Sequence, residues 1–257
     1  MLDGERRDLI LEILRHNLYA TVGRLAEETA ASETTIRRDL RMLESDKVIS
    51  RMRGGAALAP EFRNGATPLA EEPFEARLGL NRDAKRRIAE RAVSLCEDGE
   101  TIFVDGGSTT YQMVEFLRLR SLTIVTNSFA IAQGLVSRSG IRVIIPGGVV
   151  DGDSRLILDP FGHDTFRDYT ATKAFLSVGG VTEKGALNSD ALLIRTERSM
   201  VKHAEQLVVL ADASKLGKSA PMRLCGVESI GVLITDGAPD DALNKLLLSA
   251  EVHVIRV

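Results

Sequence analysis

Two stretches of this sequence carry side chains whose types and spacing could do chemistry. In the first, Ser32, Thr34, Thr35, Arg37, Arg38 and Arg41 share a short window, followed by Arg51 and Arg53. Guanidinium groups fork onto guanine edges or phosphate oxygens and hydroxyls reach either, so the set suits contact with double-stranded DNA. The same cations could also be a solvated helix face. In the second, Asp105-Gly106-Gly107-Ser108-Thr109-Thr110 follows the apolar run Thr101–Val104. A small hydroxyl-rich turn between a strand and a helix presents N–H groups and hydroxyls where the helix dipole favours an anion such as phosphate. A glycine-rich connection of this kind is also often only a tight turn. Polar or glycine turns close other apolar runs at Thr126-Asn127-Ser128, Gly147-Gly148, Gly179-Gly180 and Asp212-Ala213-Ser214-Lys215. Ligands of open α/β sheets bind beyond the carboxyl ends of strands, so turns gathered there would form a pocket.

The apolar periodicity says which elements must hold these groups. Leu9, Ile10, Ile13 and Leu14 have helical spacing, His16-Asn17 breaks it, and Val22, Leu25 and Ala26 resume it behind a cap at Thr21. Ser32 caps a third helix that buries Ile36, Leu40 and Leu43 and turns Thr34, Thr35, Arg37, Arg38 and Arg41 outward. Asp39 reads as a structural partner for an arginine. Val48–Arg53, Gly54-Gly55 and Ala56–Leu58 form a hairpin, the wing beside such a helix pair. Residues 1–58 are thus predicted to be a winged helix-turn-helix DNA-binding domain, in which the second helix of the pair enters the major groove. Residues 59–73, rich in Pro, Gly, Asn, Ala and Glu without periodicity, form a linker. Residues 74–257 alternate a helical stretch at Asp83–Leu95 and later helical patterns, one with Met113, Phe116 and Leu117 facing the core, with strand-length runs. The runs are Thr101–Val104, Leu122–Val125, Ile141–Ile145, Ala174–Val178, Leu207–Ala211, Ile230–Ile234 and Val252–Ile255. That alternation predicts an α/β domain with a mainly parallel sheet.

Bulk properties agree with two globular domains: 257 residues, 44% apolar and 27% charged. The net charge of −3 is no footprint of a nucleic-acid binder, and residues 1–57 balance ten cations against ten anions. Residues 35–57, however, hold six cations against three anions. No apolar run reaches the roughly 18 residues of a membrane helix and the start lacks a signal core, so a cytoplasmic protein without membrane contact is expected. Cys96 and Cys225 stand apart and read as core thiols. His16 and His253 read as surface residues near element ends, His203 as a helix residue beside Lys202 with no second ligand at metal spacing, and His163 as a loop residue, so neither metal nor cofactor is implied.

Glu5-Arg6-Arg7, Thr21-Val22, Ser32-Glu33-Thr34-Thr35-Ile36-Arg37-Arg38-Asp39-Leu40 and Gly54-Gly55-Ala56, in this order, resemble the DeoR family of repressors. Lys85-Arg86-Arg87-Ile88-Ala89, the Asp105–Thr110 turn, Thr126-Asn127-Ser128, Gly147-Gly148 and Asp212-Ala213-Ser214-Lys215 resemble its sensor domain. The resemblance implies an isomerase-like α/β sensor that responds to a phosphorylated sugar or polyol and releases operator DNA. It implies phosphate on Ser108, Thr109 and Thr110, with Asp105, Asn127 and Lys215 meeting hydroxyls or charge and Gly107, Gly147 and Gly148 shaping the site. A homodimer or homotetramer is expected, since one small helix-turn-helix covers too little DNA for high specificity. Two departures are Arg53, where many relatives carry His, and Arg198, where relatives often carry Lys. The rival reading is a sugar-phosphate isomerase or deaminase with an accessory DNA-binding domain, using Asp105, Glu183 or Asp190 as base. A third is an α/β interaction module with no ligand.

Overall fold

A computed structural model describes residues 3–17, 19–46, 48–52, 54–58, 74–158, 164–189 and 191–257. They fall into two compact units, one within Met1–Ala70 and the other within Glu71–Asp159 and His163–Val257. The expected linker, Arg53, His163 and Asp190 lie outside the described residues.

The first unit runs α1 (Asp3–Asn17), β1 (Tyr19–Thr21), α2 (Val22–Thr29), α3 (Glu33–Ser45), β2 (Ile49–Met52) and β3 (Gly55–Leu58). Both expected caps are in place: Thr21 Oγ1 accepts from Arg24 N at 3.1 Å and Ser32 Oγ from Thr35 N at 3.2 Å. Each satisfies an amide that the first helical turn leaves without a partner. Ile10, Leu14, Leu25, Ile36 and Leu40 make the core, each at most 1% exposed. β2 and β3 form the wing hairpin, and β1 pairs antiparallel with β3, so the wing is stitched to the entry of α2. That third strand is too short for period-2 patterning to reveal.

The second unit begins with α4 (Phe74–Gly79) and α5 (Arg82–Val93), then β4 (Thr101–Val104), α6 (Ser108–Tyr111), α7 (Met113–Leu117), β5 (Leu122–Thr126), α8 (Phe129–Leu135) and β6 (Ile141–Ile144). A small hairpin, β7 (Val149–Val150) and β8 (Ile157–Leu158), precedes β9 (Ala171–Ser177), β10 (Gly180–Thr182), β11 (Gly185–Asn188) and α9 (Ala191–Lys202). The chain closes through β12 (Ala204–Leu210), β13 (Met222–Cys225), β14 (Val232–Thr235), α10 (Asp241–Ser249) and β15 (His253–Arg256). Seven strands form one sheet, ordered β15-β14-β12-β9-β4-β5-β6, and every neighbouring pair is parallel. A parallel sheet buries both faces, and successive residues divide accordingly. Phe103, Leu176 and Val209 pack on one side, and Ile102, Phe175 and Val208 on the other.

All seven predicted strands are present, Thr101–Val104 with the expected ends and the other six with shifted ends. β9 and β12 start three residues early because the residues ahead of their apolar runs pair with each other, Ala204 opposite Ala171 and Gln206 opposite Lys173. The expected helix after Thr110 is two short helices, and Phe116 is half-buried beneath the Arg86 guanidinium at 5.2 Å. Gly179-Gly180 serves a second, antiparallel sheet of β10, β11 and β13, where Gly179 N donates to Leu187 O.

Candidate functional site

In the first unit, α3 buries Ile36, Asp39, Leu40 and Leu43 and exposes Ser32, Thr34, Arg37, Arg38 and Arg41. Thr35 is half-buried, its hydroxyl 2.9 Å from that of Ser32, so this pair is engaged in the cap. Arg37 meets Glu33 at 3.0 Å and Arg51, on the wing, meets Glu44 at 3.3 Å, both pairs open to solvent and weak. What fixes the helix lies beneath it. Arg6 of α1 donates through Nε to Asp39 Oδ2 at 2.7 Å and through Nη2 to Oδ1 at 3.3 Å. Arg6 is 7% and Asp39 1% exposed. The structural role expected of Asp39 is therefore met, with a partner from another helix.

In the second unit the chain lays strands to one side from β4 to β6 and to the other from β9 to β15, so the order reverses between β4 and β9. Crevices at such reversals, beyond the carboxyl ends of the strands, are where open α/β sheets bind ligands. The Asp105–Thr110 turn leaves β4 there. Asp105 is fully buried and its carboxylate is engaged throughout: it accepts from Gly107 N (3.2 Å), Ser177 N (2.9 Å), Ser177 Oγ (3.0 Å) and the Thr110 hydroxyl. Asp105 and Thr110 thus brace the turn against β9. Ser108 accepts from Lys85 Nζ at 3.0 Å, and Lys85 is only 4% exposed, so a buried cation backs the start of α6. Thr109 is buried beside it. Asn127, from the end of β5, is buried with Oδ1 lacking a hydrogen-bond partner among the described residues, and Leu156 of the arm carrying β8 lies over Gly106.

Asp105, Gly107, Ser108, Thr109 and Thr110 are therefore together, with Asn127 one strand away. Gly147 and Gly148 follow the edge strand β6, two strands from β4, and are exposed. Lys215 lies beyond the end of β12, across β9 from the turn. Sequence reasoning missed Lys85 and Ser177. Lys85 reads as one more charge in Lys85-Arg86-Arg87, and only its spacing from Ala89 and Ile88 on α5 marks it as inward.

Burial pushes the Asp105 carboxyl up to about 6, because lost hydration outweighs the hydrogen bonds from Thr110, Gly107 and Ser177. The folded chain therefore holds this proton more tightly than the unfolded one. Its contribution to stability is full below the ordinary aspartate value and is lost as pH rises toward about 6. Urea midpoints of the unmodified protein minus those of Asp105→Asn are expected to fall from about pH 4 to about pH 6 and then level. A difference that rises over that window contradicts this burial. Gly107→Ala would drive a Cβ into Ser177 Oγ and is expected to destabilise by about 1–3 kcal/mol in the same measurement.

Residues 6–61 match the family model described as a DeoR-like helix-turn-helix domain, and residues 80–237 the one described as the DeoR C terminal sensor domain. The chain belongs to the DeoR family. Among curated relatives, the HTH-type transcriptional repressor GlcR of Bacillus subtilis is 30% identical over 96% of this chain and 93% of its own. The HTH-type transcriptional regulator UlaR of Escherichia coli is 29% identical over the full length of both. A solved ribose 5-phosphate isomerase A of Methanocaldococcus jannaschii is similar over 53% of this chain and 55% of its own, with a TM-score of 0.40 and 22% identity.

Other features of this DeoR-family chain are structural. Arg198 donates to the carbonyls of Leu224, at 3.4 Å, and Arg223, tying α9 to β13. Arginine rather than lysine there provides the fork that reaches two carbonyls. Glu183 lies exposed in the turn between β10 and β11. Cys96 is buried and Cys225 half-buried, and burial raises their thiols to about 12 and about 11. His203, directly after α9, has its Nδ1 3.3 Å from Ser199 Oγ and 2.9 Å from Ser199 O. No helix among the described residues is long and apolar enough to cross a membrane.

Proposed function

We propose that this DeoR-family chain is a transcriptional repressor that grips operator DNA through α3 and the wing and releases it when the second unit binds a phosphorylated sugar or polyol. The observation that carries the reading is the division of α3: one side buried and locked by Arg6–Asp39, the other presenting Thr34, Arg37, Arg38 and Arg41. Arg51 and Arg53 of the wing would hold the backbone while α3 meets base edges. In the sensor, the amides at the start of α6 and the hydroxyls of Ser108 and Thr109 would receive phosphate, with Lys85 supplying charge from behind. Asp105 and Thr110 brace that turn, Asn127 has a free acceptor for a hydroxyl, and Lys215 lies toward the far end of a longer ligand.

The protein acts without turnover in this reading. Asp105 is enclosed by four donors and Glu183 lies in an exposed turn of the second, antiparallel sheet, which disfavours either as a base at a substrate carbon. A homodimer or homotetramer would present two α3 helices to two half-sites, and effector preference for one conformation would supply a coupling of about 1–3 kcal/mol.

The test is a gel-shift assay with duplexes from the DNA flanking the protein's own gene. Binding should weaken about a thousandfold or more between low and moderate salt, as several phosphate contacts require. Negligible, salt-insensitive affinity for all of them would overturn the proposal. Incubation with sugar phosphates should raise the melting temperature without forming product, and product formation would establish the enzyme instead.

A further inference from the structure

The turn that follows β4 is covered. Gly106 and Gly107 are buried, and Ser108 and Thr109 are only 8% and 5% exposed. Over Gly106 lies the side chain of Leu156, which fills the space that a Cβ on this glycine would need. Leu156 belongs to the arm of β7 and β8, which is stitched to the end of β5 and the start of α8. Ile157 N donates to Asn127 O at 2.7 Å and Phe129 N to Arg155 O at 2.9 Å. The other walls of the turn are ends of the seven-stranded sheet and α5, held by ladders and core. The arm is a hairpin of two residues a side, so it is the part of the cover that yields most readily.

α4, the first element after the expected linker, docks on these same parts. Phe74 is 2% exposed, and its ring meets that of Tyr111, on α6, edge to face with centroids 5.5 Å apart. Its N–H donates to the carbonyl of Asp153, in the turn between β7 and β8, at 3.1 Å. Further along α4, Arg77 O accepts from Lys85 Nζ at 2.6 Å, and the same ammonium donates to Ser108 Oγ at 3.0 Å. A helix of six residues does not hold its shape alone, so α4 depends on this docking.

Docked α4 and a phosphate in the turn therefore compete in two ways. Displacing Leu156 moves the arm whose Asp153 carbonyl holds Phe74. A phosphate dianion beside Ser108 also draws the Lys85 ammonium more strongly than the neutral carbonyl of Arg77 does. We infer that α4 is the switch of this chain, docked in the effector-free protein and released when phosphate enters the turn, so that occupancy reaches the expected linker and the DNA-reading unit as a change at Phe74. The inference rests on the reading that the β4 turn holds phosphate. Coupling is reciprocal, so whatever loosens α4 also tightens effector binding.

The experiment titrates inorganic phosphate, fructose 6-phosphate, ribulose 5-phosphate and glucitol 6-phosphate into the full chain by calorimetry, and repeats the gel shift in the presence of each. Phe74→Ala takes the ring away from Tyr111 and loosens the docking. It should bind the tightest probe about fivefold or more better than the unmodified protein, since docking no longer opposes entry, and its hold on duplex should respond less to that probe. Plain damage to the fold would weaken binding instead. Phe74→Leu, which keeps an apolar side chain in place, should bring affinity back toward the unmodified value. Leu156→Ala uncovers Gly106, should raise affinity in the same direction, and stands in if Phe74→Ala fails to fold. Unchanged or weaker probe affinity in the folded variants, or undiminished release of duplex by Phe74→Ala, overturns the inference while phosphate sensing stands. Failure of all four probes to bind the unmodified chain overturns the sensing reading and this assignment together.

Discussion

Asp39→Ala is expected to unfold the DNA-reading unit and leave the sensor unit standing. The substitution removes the carboxylate to which the buried Arg6 guanidinium, 7% exposed, donates through two nitrogens. Breaking one side of a buried pair costs about 3–5 kcal/mol, and a unit of this size has little more than that in total. Circular dichroism melts should show a low-temperature transition carrying the helical signal of α1 to α3, with the sensor transition unmoved and DNA binding gone. Replacing both partners, Arg6→Met with Asp39→Leu, should recover most of the stability, since two buried charges are exchanged for packing. Wild-type stability and DNA binding in Asp39→Ala would mean the pair does not fix α3.

Arg37→Ala and Ser108→Ala should separate the two activities. Arg37 is exposed and its pair with Glu33 contributes little, so its removal should change stability by less than about 0.5 kcal/mol. In the proposed complex Arg37 meets a base edge, and loss of such a guanidinium costs about 1–3 kcal/mol, a fall in operator affinity of roughly tenfold to a hundredfold. The effector's thermal shift should be unchanged. Ser108→Ala removes both the hydroxyl proposed to meet phosphate and one of the acceptors of Lys85, so the shift should vanish while operator binding persists. Equal losses in both assays for either variant would refute this division of labour.

Much of this molecule is legible in its sequence, for local reasons. Thr21 and Ser32 declare helix starts because their hydroxyls cap the amide three residues on, and Gly54-Gly55 declares the wing turn. The sheet strands announce themselves because both faces are buried, which makes them unbroken apolar runs. What escapes is non-local. Nothing in Asp105 says that its carboxylate turns inward to Ser177, 72 residues later, or in Asp39 that its partner is Arg6. The hydroxyl turn was readable as a place. Which of its hydroxyls brace and which remain for a ligand depends on strand order, and short strands such as β1 and β10 are below the length at which alternation speaks.

The adjacency of β4 and β9 also bears on the order in which a ribosome delivers this polypeptide. Thr101 and Thr172, hydrogen-bonded across that pair, are 71 residues apart, whereas the helices of the first unit meet near neighbours in the chain. Contacts of short range form early and distant strand pairings late, so the DNA-reading part is complete long before the crevice has its second wall. A polypeptide stalled or truncated ahead of Ala171 would therefore hold a folded helix-turn-helix while its crevice lacks the strand that braces Asp105.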